Sequence, residues 1–487
     1  MKKNIVFILL ASVLGISCHK DYVELDPISS ASSNNFYTSA NDFLNAINAT
    51  YGILQTFAFG TGEFIFGDLP SDDTYAYPGT CVSGHCDFDN YVVLPSATTA
   101  ANVLNNRWND LYRGISRANI VLTRIQNITM DNALKNRIIG EAKFLRAYFY
   151  FNLVRTFGDV PLSLTEITAT ADAFTYGREP ASKVYAAIEK DLAEAAASLP
   201  VTYAAADAGR ISNGAAKGML ARVLLYQKKY TDAALLLKGI IDSKTYGLAA
   251  NYADVFRPDN GNNKEILFAV QYSKGGIGEG TPRYLAFAPI NSGNSVQLGG
   301  GVSVNQPTPD IEAAFEPGDT RKDVSMANGY ISANGAFVVN SYIKKYIDKT
   351  MTAVNEASTD MPVLRYADIL LMYAECLNEA GQPGAALPYL GEVRNRAGLV
   401  NKIISTQDEM RLAIEQERRV ELCFEGLRFF DLVRTGRLLP VMNSYFQKYN
   451  IINNGILVQV KDYQKVFPVP QSQIDINPAK IIQNQGY

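Results

Sequence analysis

Residues 365–398, RYADILLMYAECLNEAGQPGAALPYLGEVRNRAG, read as two helices joined by a short turn. Ile369, Leu370, Tyr373, Ala374 and Leu377 recur at helical spacing, which gathers their side chains onto one face. Gly381 is placed to end the first helix, since glycine takes the left-handed backbone angle that a helix C-cap favours. Pro383 falls where the first turn of a second helix begins, and there its missing N–H breaks no bond. That second helix turns Ala386, Tyr389, Leu390 and Val393 inward and closes at Gly398. Small residues at Ala374 and Ala386 let the two axes approach, so the stretch predicts an antiparallel helical hairpin.

A looser copy lies upstream. Leu220, Ala221, Leu224 and Leu225 form a stripe, Lys229 and Tyr230 make the corner, and Ala233, Ala234 and Leu237 open the partner helix. Alternating bulky and small residues around a short corner is how tetratricopeptide-type repeats pack. Helical period also marks 41–56, 103–125, 131–156, 180–199 and 406–432. Tyr148, Phe149, Tyr150 and Phe151 are consecutive, so they cannot share one face and must meet a second layer. Trp108, the one tryptophan, shares a helical stripe with Leu111, Ile115 and Asn119 and reads as core. The 487 residues are 47% hydrophobic, enough for a core several helices deep. The expected fold class is mainly α, built of tetratricopeptide-like helical pairs with a long irregular insertion carrying short strands.

The chain divides accordingly. Residues 41–250 form an N-terminal helical region containing an aromatic loop at 57–91, and 361–487 form a C-terminal helical region and tail. Residues 251–360 hold twelve of the 36 glycines, which argues against long helices there. Runs at 265–272 and 335–347 read as strands, with a short helix near 310–315. At the start of the chain, Lys2 and Lys3 precede an apolar run at 5–16 that is too short to span a bilayer and ends in LGISC. Residues 1–17 therefore read as a lipoprotein signal peptide, Cys18 as the lipid anchor and 18–40 as a tether, leaving the chain anchored to a membrane without crossing it.

Formal charge is −3, and no basic face dominates, which speaks against nucleic acid as a partner. In a chain bound for an oxidising compartment, Cys81 and Cys86 read as a disulfide stapling their loop. The alternative is a metal site using Cys81, His85 and Cys86, which lacks a fourth ligand nearby. Asp87, Asp89 and Asn90 read as a solvated turn rather than a calcium loop. Cys376 and Cys423 sit in helical patterns and read as buried thiols. A glycosidase needs two carboxylates about 5–9 Å apart across a cleft. Asp72 and Asp73 are adjacent and point apart, while Glu417 and Glu421 lie beside arginines and read as ion-paired. There is no Gly-x-Ser-x-Gly elbow, no His-Glu-x-x-His and no phosphate loop, so an enzyme is not expected and no cofactor is implied.

Seven stretches in order carry a resemblance over nearly the whole mature chain. They are RGISRANIVLTRI (113–125), EAKFLRAYFYFNLVRTFGDVPL (141–162), AAKGMLARVLLYQKKYTDA (215–233), FEPGDTRKD (315–323), PVLRYADILLMYAECLNEAG (362–381), ERRVELCFEGLRFFDLVRTGR (417–437) and VFPVPQSQIDINPAKIIQNQGY (466–487). Together, and after a lipoprotein signal, they resemble the SusD/RagB family of surface nutrient-binding lipoproteins. The resemblance implies a helical scaffold at the outer-membrane surface that binds oligosaccharides and passes them to a SusC-like TonB-dependent transporter. It implies no chemistry on the ligand. Peptide uptake of the RagB kind, or a protein-interaction scaffold, is the alternative.

Sugars present flat C–H faces rimmed by hydroxyls, so a binder needs exposed rings beside amide, carboxylate or guanidinium groups. Eight of the 35 residues at 57–91 are aromatic, about twice the 11% of the whole chain, which directs attention to that loop. The candidate stacking rings are Tyr75, Tyr77, Tyr272, Tyr284 and Phe287. The candidate hydroxyl partners are Asp72, Asp73, Arg283 and Asn291.

Overall fold

The computed structural model describes residues 36–56, 62–96 and 98–487. The signal peptide, Cys18 and most of the tether lie outside the described residues, as do Phe57 and Phe59 of the aromatic loop.

Helices α1 (Ala40–Gln55), α2 (Glu63–Gly67), α3 (His85–Asp89), α4 (Thr99–Arg124), α5 (Asn132–Phe157), α6 (Ala181–Ser198), α7 (Asn213–Tyr226) and α8 (Tyr230–Asp242) precede the insertion. The insertion carries short helices at Pro309–Ala314 and Lys322–Ser325 and the one-turn α9 (Tyr284–Phe287), and α10 (Tyr366–Glu379), α11 (Pro383–Arg396), α12 (Gln407–Glu421), α13 (Arg428–Arg434) and α14 (Leu438–Tyr449) follow. From α4 to α8 each helix packs on the next, and α8 packs on α10, which pairs with α11 and α12. This is a continuous stack of antiparallel pairs. At its centre Gly381 takes φ +76°, the Gln382 N–H donates to the Leu377 carbonyl, and Ala374 and Ala386 are fully buried where α10 and α11 cross. Tyr373 meets Tyr389 edge-on at 4.7 Å across the same contact.

Tyr148, Phe149, Tyr150 and Phe151 are all buried, because α5 is enclosed by α4, α6 and the layer beyond. The Phe149 ring lies over Gly114 of α4, while Phe151 meets Tyr226 of α7 at 4.9 Å. Trp108 is core, and Cys376 and Cys423 are buried free thiols. No helix among the described residues is long and apolar enough to cross a membrane.

Strands are short. β1 (Thr74–Tyr75) pairs antiparallel with β3 (Gln306–Pro307), β2 (Ile266–Val270) with β6 (Met361–Arg365), and β4 (Met326–Ile331) with β5 (Phe337–Ile343). The β2–β6 pair returns the insertion to the helical stack at the point where α10 begins.

Two expectations are corrected. The segment 406–432 is two helices, because Phe424 and Gly426 adopt φ of +64° and +74° in the turn between α12 and α13. That turn closes on α2, where the Asp68 carboxylate accepts from the Gly426 N–H at 2.9 Å. Second, the described part of 57–91 is no open loop. Every residue from Gly62 to Thr74 is buried, and Phe64, Phe66 and Phe88 are 3%, 0% and 1% exposed. Rings that the sequence left without a partner pack here on Phe287 and Phe467 from distant segments.

Candidate functional site

The nine candidate contact residues fall into separate environments. Asp72 and Asp73 are 3% and 1% exposed, and both serve the frame. Arg428 of α13 donates through Nε and Nη2 to Asp72 at 2.8 and 3.1 Å, and Arg419 of α12 donates to Asp73 at 2.6 Å. Their reading as hydroxyl partners for a ligand is corrected: buried carboxylates need cations, and α12 and α13 supply them. Tyr284 and Phe287 are each 1% exposed, which corrects their reading as open stacking rings. Tyr284 packs with Met351 and Ala357 inside the insertion, whereas Phe287 joins the main core and meets Phe64 at 5.6 Å. The Tyr284 hydroxyl accepts from the Asn355 N–H at 3.1 Å, and the Phe287 ring meets Tyr346 at 5.2 Å. Arg283 is buried too, its guanidinium 4.0 Å from the Tyr346 ring centre. The insertion thus spends Tyr284 on its own small core and Phe287 on the main one.

Three candidates keep a surface. Thr74 and Ala76 turn inward, which turns half-buried Tyr75 and exposed Tyr77 to the outside of β1. The Tyr75 hydroxyl donates to Gln306 Oε1 at 3.1 Å, and Gln306 Nε2 donates to Ser303 and Asn340. Tyr77 lies flat over Gly79, where a Cβ would come within 2.8 Å of its ring. Asn291 is exposed at φ +63° on the insertion.

The strip between the two tyrosines hangs on Asp89 of α3, whose carboxylate accepts from the Ala76 N–H at 3.2 Å. Burial pushes the Asp89 pKa up to about 7 from an ordinary 3.8. Between those values the folded protein keeps a proton that the unfolded chain has lost, so this group's contribution to stability falls as pH rises through the window. Asp89→Asn is therefore expected to gain on the wild type as pH rises, its melting temperature relative to wild type standing at least about 2 °C higher at pH 8 than at pH 4. An equal pH dependence of melting in the two proteins would contradict this.

Cys81 and Cys86 are joined by a disulfide, with Cα atoms 5.1 Å apart, strapping the turn before α3 to that helix. His85 is buried against Phe64, and burial lowers its pKa to about 4, so it is neutral at physiological pH. Among the described residues no group of His, Cys, Asp or Glu is arranged to hold a metal.

The last candidate, Tyr272, is 8% exposed and lines an open cleft of about 820 Å³. Five segments meet there: the end of α1, residues 206–210, residues 258–262, the end of β2 with the chain just beyond it, and Asp360 before β6. On α1, Asn48, Tyr51, Gly52 and Gln55 line the wall at spacings that share one helical face. Gln55 Nε2 donates to the Gln271 carbonyl at 3.1 Å and to Glu279 at 2.8 Å, and Gln271 Nε2 donates to Asn262 at 2.7 Å. The Tyr272 N–H donates to Asp360 at 2.9 Å. Its hydroxyl makes no well-formed hydrogen bond, and burial pushes its pKa up to about 12. Two tyrosines, amides, carboxylates and one guanidinium thus converge on a hollow of the size small-ligand sites have. Apart from Tyr272, none of these was named from the sequence; the polar face of α1 and the run RPDNGNN (257–263) were the available signals.

Fold and cleft together define a helical-repeat scaffold that presents a polar, ring-bearing hollow beside a glycine-rich insertion. The model of the SusD family matches residues 316–487, and a second model, described as starch-binding associating with outer membrane, matches residues 87–225. The chain belongs to the SusD/RagB family. It is 27% identical to SusD-like protein P25 of Formosa agariphila, over 100% of this chain and 99% of that one. A SusD-like protein of Bacteroides ovatus is 26% identical over 92% of this chain and 85% of its own. Among solved structures, a laminarin binding SusD-like protein superposes with a TM-score of 0.78 at 28% identity, covering 93% of this chain and 100% of its own. Surface glycan-binding protein A from Bacteroides thetaiotaomicron, in complex with laminarihexaose, has the same fold with a TM-score of 0.78 at 21% identity, covering 92% of this chain and 100% of its own.

Proposed function

We propose that this chain is a lipid-anchored glycan-binding protein of the outer-membrane surface that captures oligosaccharides and delivers them to a SusC-like TonB-dependent transporter. The observation that carries the binding role is the cleft of about 820 Å³, whose walls combine tyrosine rings with amide and carboxylate groups. Rings stack on sugar C–H faces while planar polar groups take vicinal hydroxyls. Exposed Tyr77 and Asn291 and half-buried Tyr75, gathered around Ser303, supply a second candidate contact surface. Family membership supports the surface location and the transporter partner, and the laminarin-binding relative supports a glycan over a peptide. The reading is of binding alone, with no chemistry on the ligand.

Gly52 provides a clean test, because it lines the cleft and a Cβ there meets nothing within 4 Å. Gly52→Met places a long side chain at the cleft mouth while raising helix propensity by roughly 0.5–1 kcal/mol. The expected result is an unchanged or higher melting temperature in a thermal scan, with oligosaccharide affinity by titration calorimetry down at least about tenfold. Tyr77→Ala is expected to cost about threefold to tenfold, the worth of one stacked ring. Unchanged affinity in Gly52→Met would remove the cleft, and binding of peptides alone would replace the glycan reading by peptide uptake.

A further inference from the structure

The cleft has a charge character of its own. Four carboxylates line it, Asp207, Asp259, Glu279 and Asp360, against the single guanidinium of Arg210. That guanidinium is already engaged, donating to Asp207 at 2.7 Å and to Asn48 at 3.0 Å, with the fully buried Glu141 3.5 Å behind it. Glu141 itself has no hydrogen-bond partner on either oxygen, so it adds negative potential behind the wall whenever it is ionised. Asp259 is held by Arg257 at 2.7 and 3.0 Å. Glu279 and Asp360 are different. Each accepts from a neutral donor, Gln55 and the Tyr272 N–H respectively, and neither forms an ion pair among the described residues. Burial raises the Asp360 pKa to about 6, which leaves it ionised at pH 7.5. The Arg283 guanidinium offsets Asp360 from behind the wall without lining the cleft, and Asp207 is shared with Arg137 at 2.9 Å. The lining itself is therefore polar, with Glu279 unpaired and its one guanidinium already engaged.

We infer that the cleft sorts glycans by charge, taking neutral or amine-bearing sugars and rejecting those that carry carboxylate or sulfate groups. The inference rests on the glycan reading above and names the ligand class of that same site. An anionic sugar would bring a further negative group beside Glu279 and Asp360 with no unengaged guanidinium on the lining to neutralise it. A sugar amine would instead give Glu279 the cation it lacks. Glu279 is exposed and its field is screened, so the expected discrimination is about tenfold rather than several hundredfold.

The test uses the full chain and charge variants of single backbones. Laminarihexaose, maltohexaose and cellohexaose are each offered in native form, with C6 oxidised to carboxylate, and with C6 converted to amine. For whichever backbone binds, the carboxylated form is expected at least tenfold weaker than the native one at low salt. The variant carrying both Glu279→Gln and Asp360→Asn is expected to bring the carboxylated and native forms within threefold of each other and to weaken the aminated form relative to the native one. Tighter binding of a carboxylated form to the wild type, or its continued rejection by the double variant, overturns the inference and leaves glycan binding standing. Absence of binding to every backbone overturns both.

Discussion

Glu421→Gln is expected to destabilise the fold by about 3–5 kcal/mol, the cost of stripping one partner from a buried charge network. Glu421 closes α12, is fully buried, and accepts from three arginines. Arg321 reaches it from the insertion at 2.9 Å, Arg365 from the end of β6, and Arg396 from the end of α11. Burial alone would raise its pKa, but Arg396, Arg365 and Arg321 outweigh burial and hold the carboxyl well below its usual range. Glutamine keeps the shape and one acceptor but leaves three buried guanidiniums facing a neutral group. Glu417, Glu265 and Glu425 remain to share them, which confines the loss to the range given. Urea unfolding at constant m-value measures it, and a shift worth less than about 1 kcal/mol would show that the neighbouring carboxylates suffice. Because this one side chain joins the insertion to the helical stack, glycan affinity should fall along with stability.

Gly67→Ala is expected to cost about 3 kcal/mol, at the upper end for inserting a methyl group into packed structure. The added Cβ would overlap the carbonyl oxygen of Gly426, a backbone atom that no rotamer change can move. Gly426 cannot retreat, since it sits at φ +74° with its own Cβ position 2.6 Å from Glu63 and its N–H bound to Asp68. The helix α2 would have to lift off the turn between α12 and α13, carrying with it the chain that leads to Asp72, Asp73 and the tyrosine strip. Comparison with Gly52→Met makes the point measurable: a larger side chain at an open glycine should leave melting unchanged, while one methyl at Gly67 should lower it by many degrees. Equal melting of the two variants would mean that the backbone at Gly426 yields more readily than the contact implies.

The helical hairpin at 365–398 was legible because its cues are local. A stripe at helical spacing, a glycine at the corner and a proline at the next N-terminus act within a turn or two of chain, so neighbouring residues alone specify them. The same holds for α4 to α8 and for the disulfide spanning five residues. The break inside 406–432 had one local cue, Gly426, which the apolar period on either side outweighed; what fixes the bend there is its contact with α2, more than 350 residues away. Asp72 and Asp73 looked like loop acids until Arg419 and Arg428 arrived from equally far. Tyr284 and Phe287 looked like spare rings until the insertion closed around the first and the main core around the second.

Taken alone, the order of residues determined the helical stack, its glycine-rich interruption and the family to which the chain belongs. Which rings face water, which acids meet arginines, and that Asn48, Tyr51, Asn262, Gln271 and Asp360 share one hollow were decided only by tertiary structure. The physical reason is that periodicity tells which side of an element is apolar but says nothing about what comes to lie against it. Burial and ion pairing depend on that second surface, and here it comes from far along the chain.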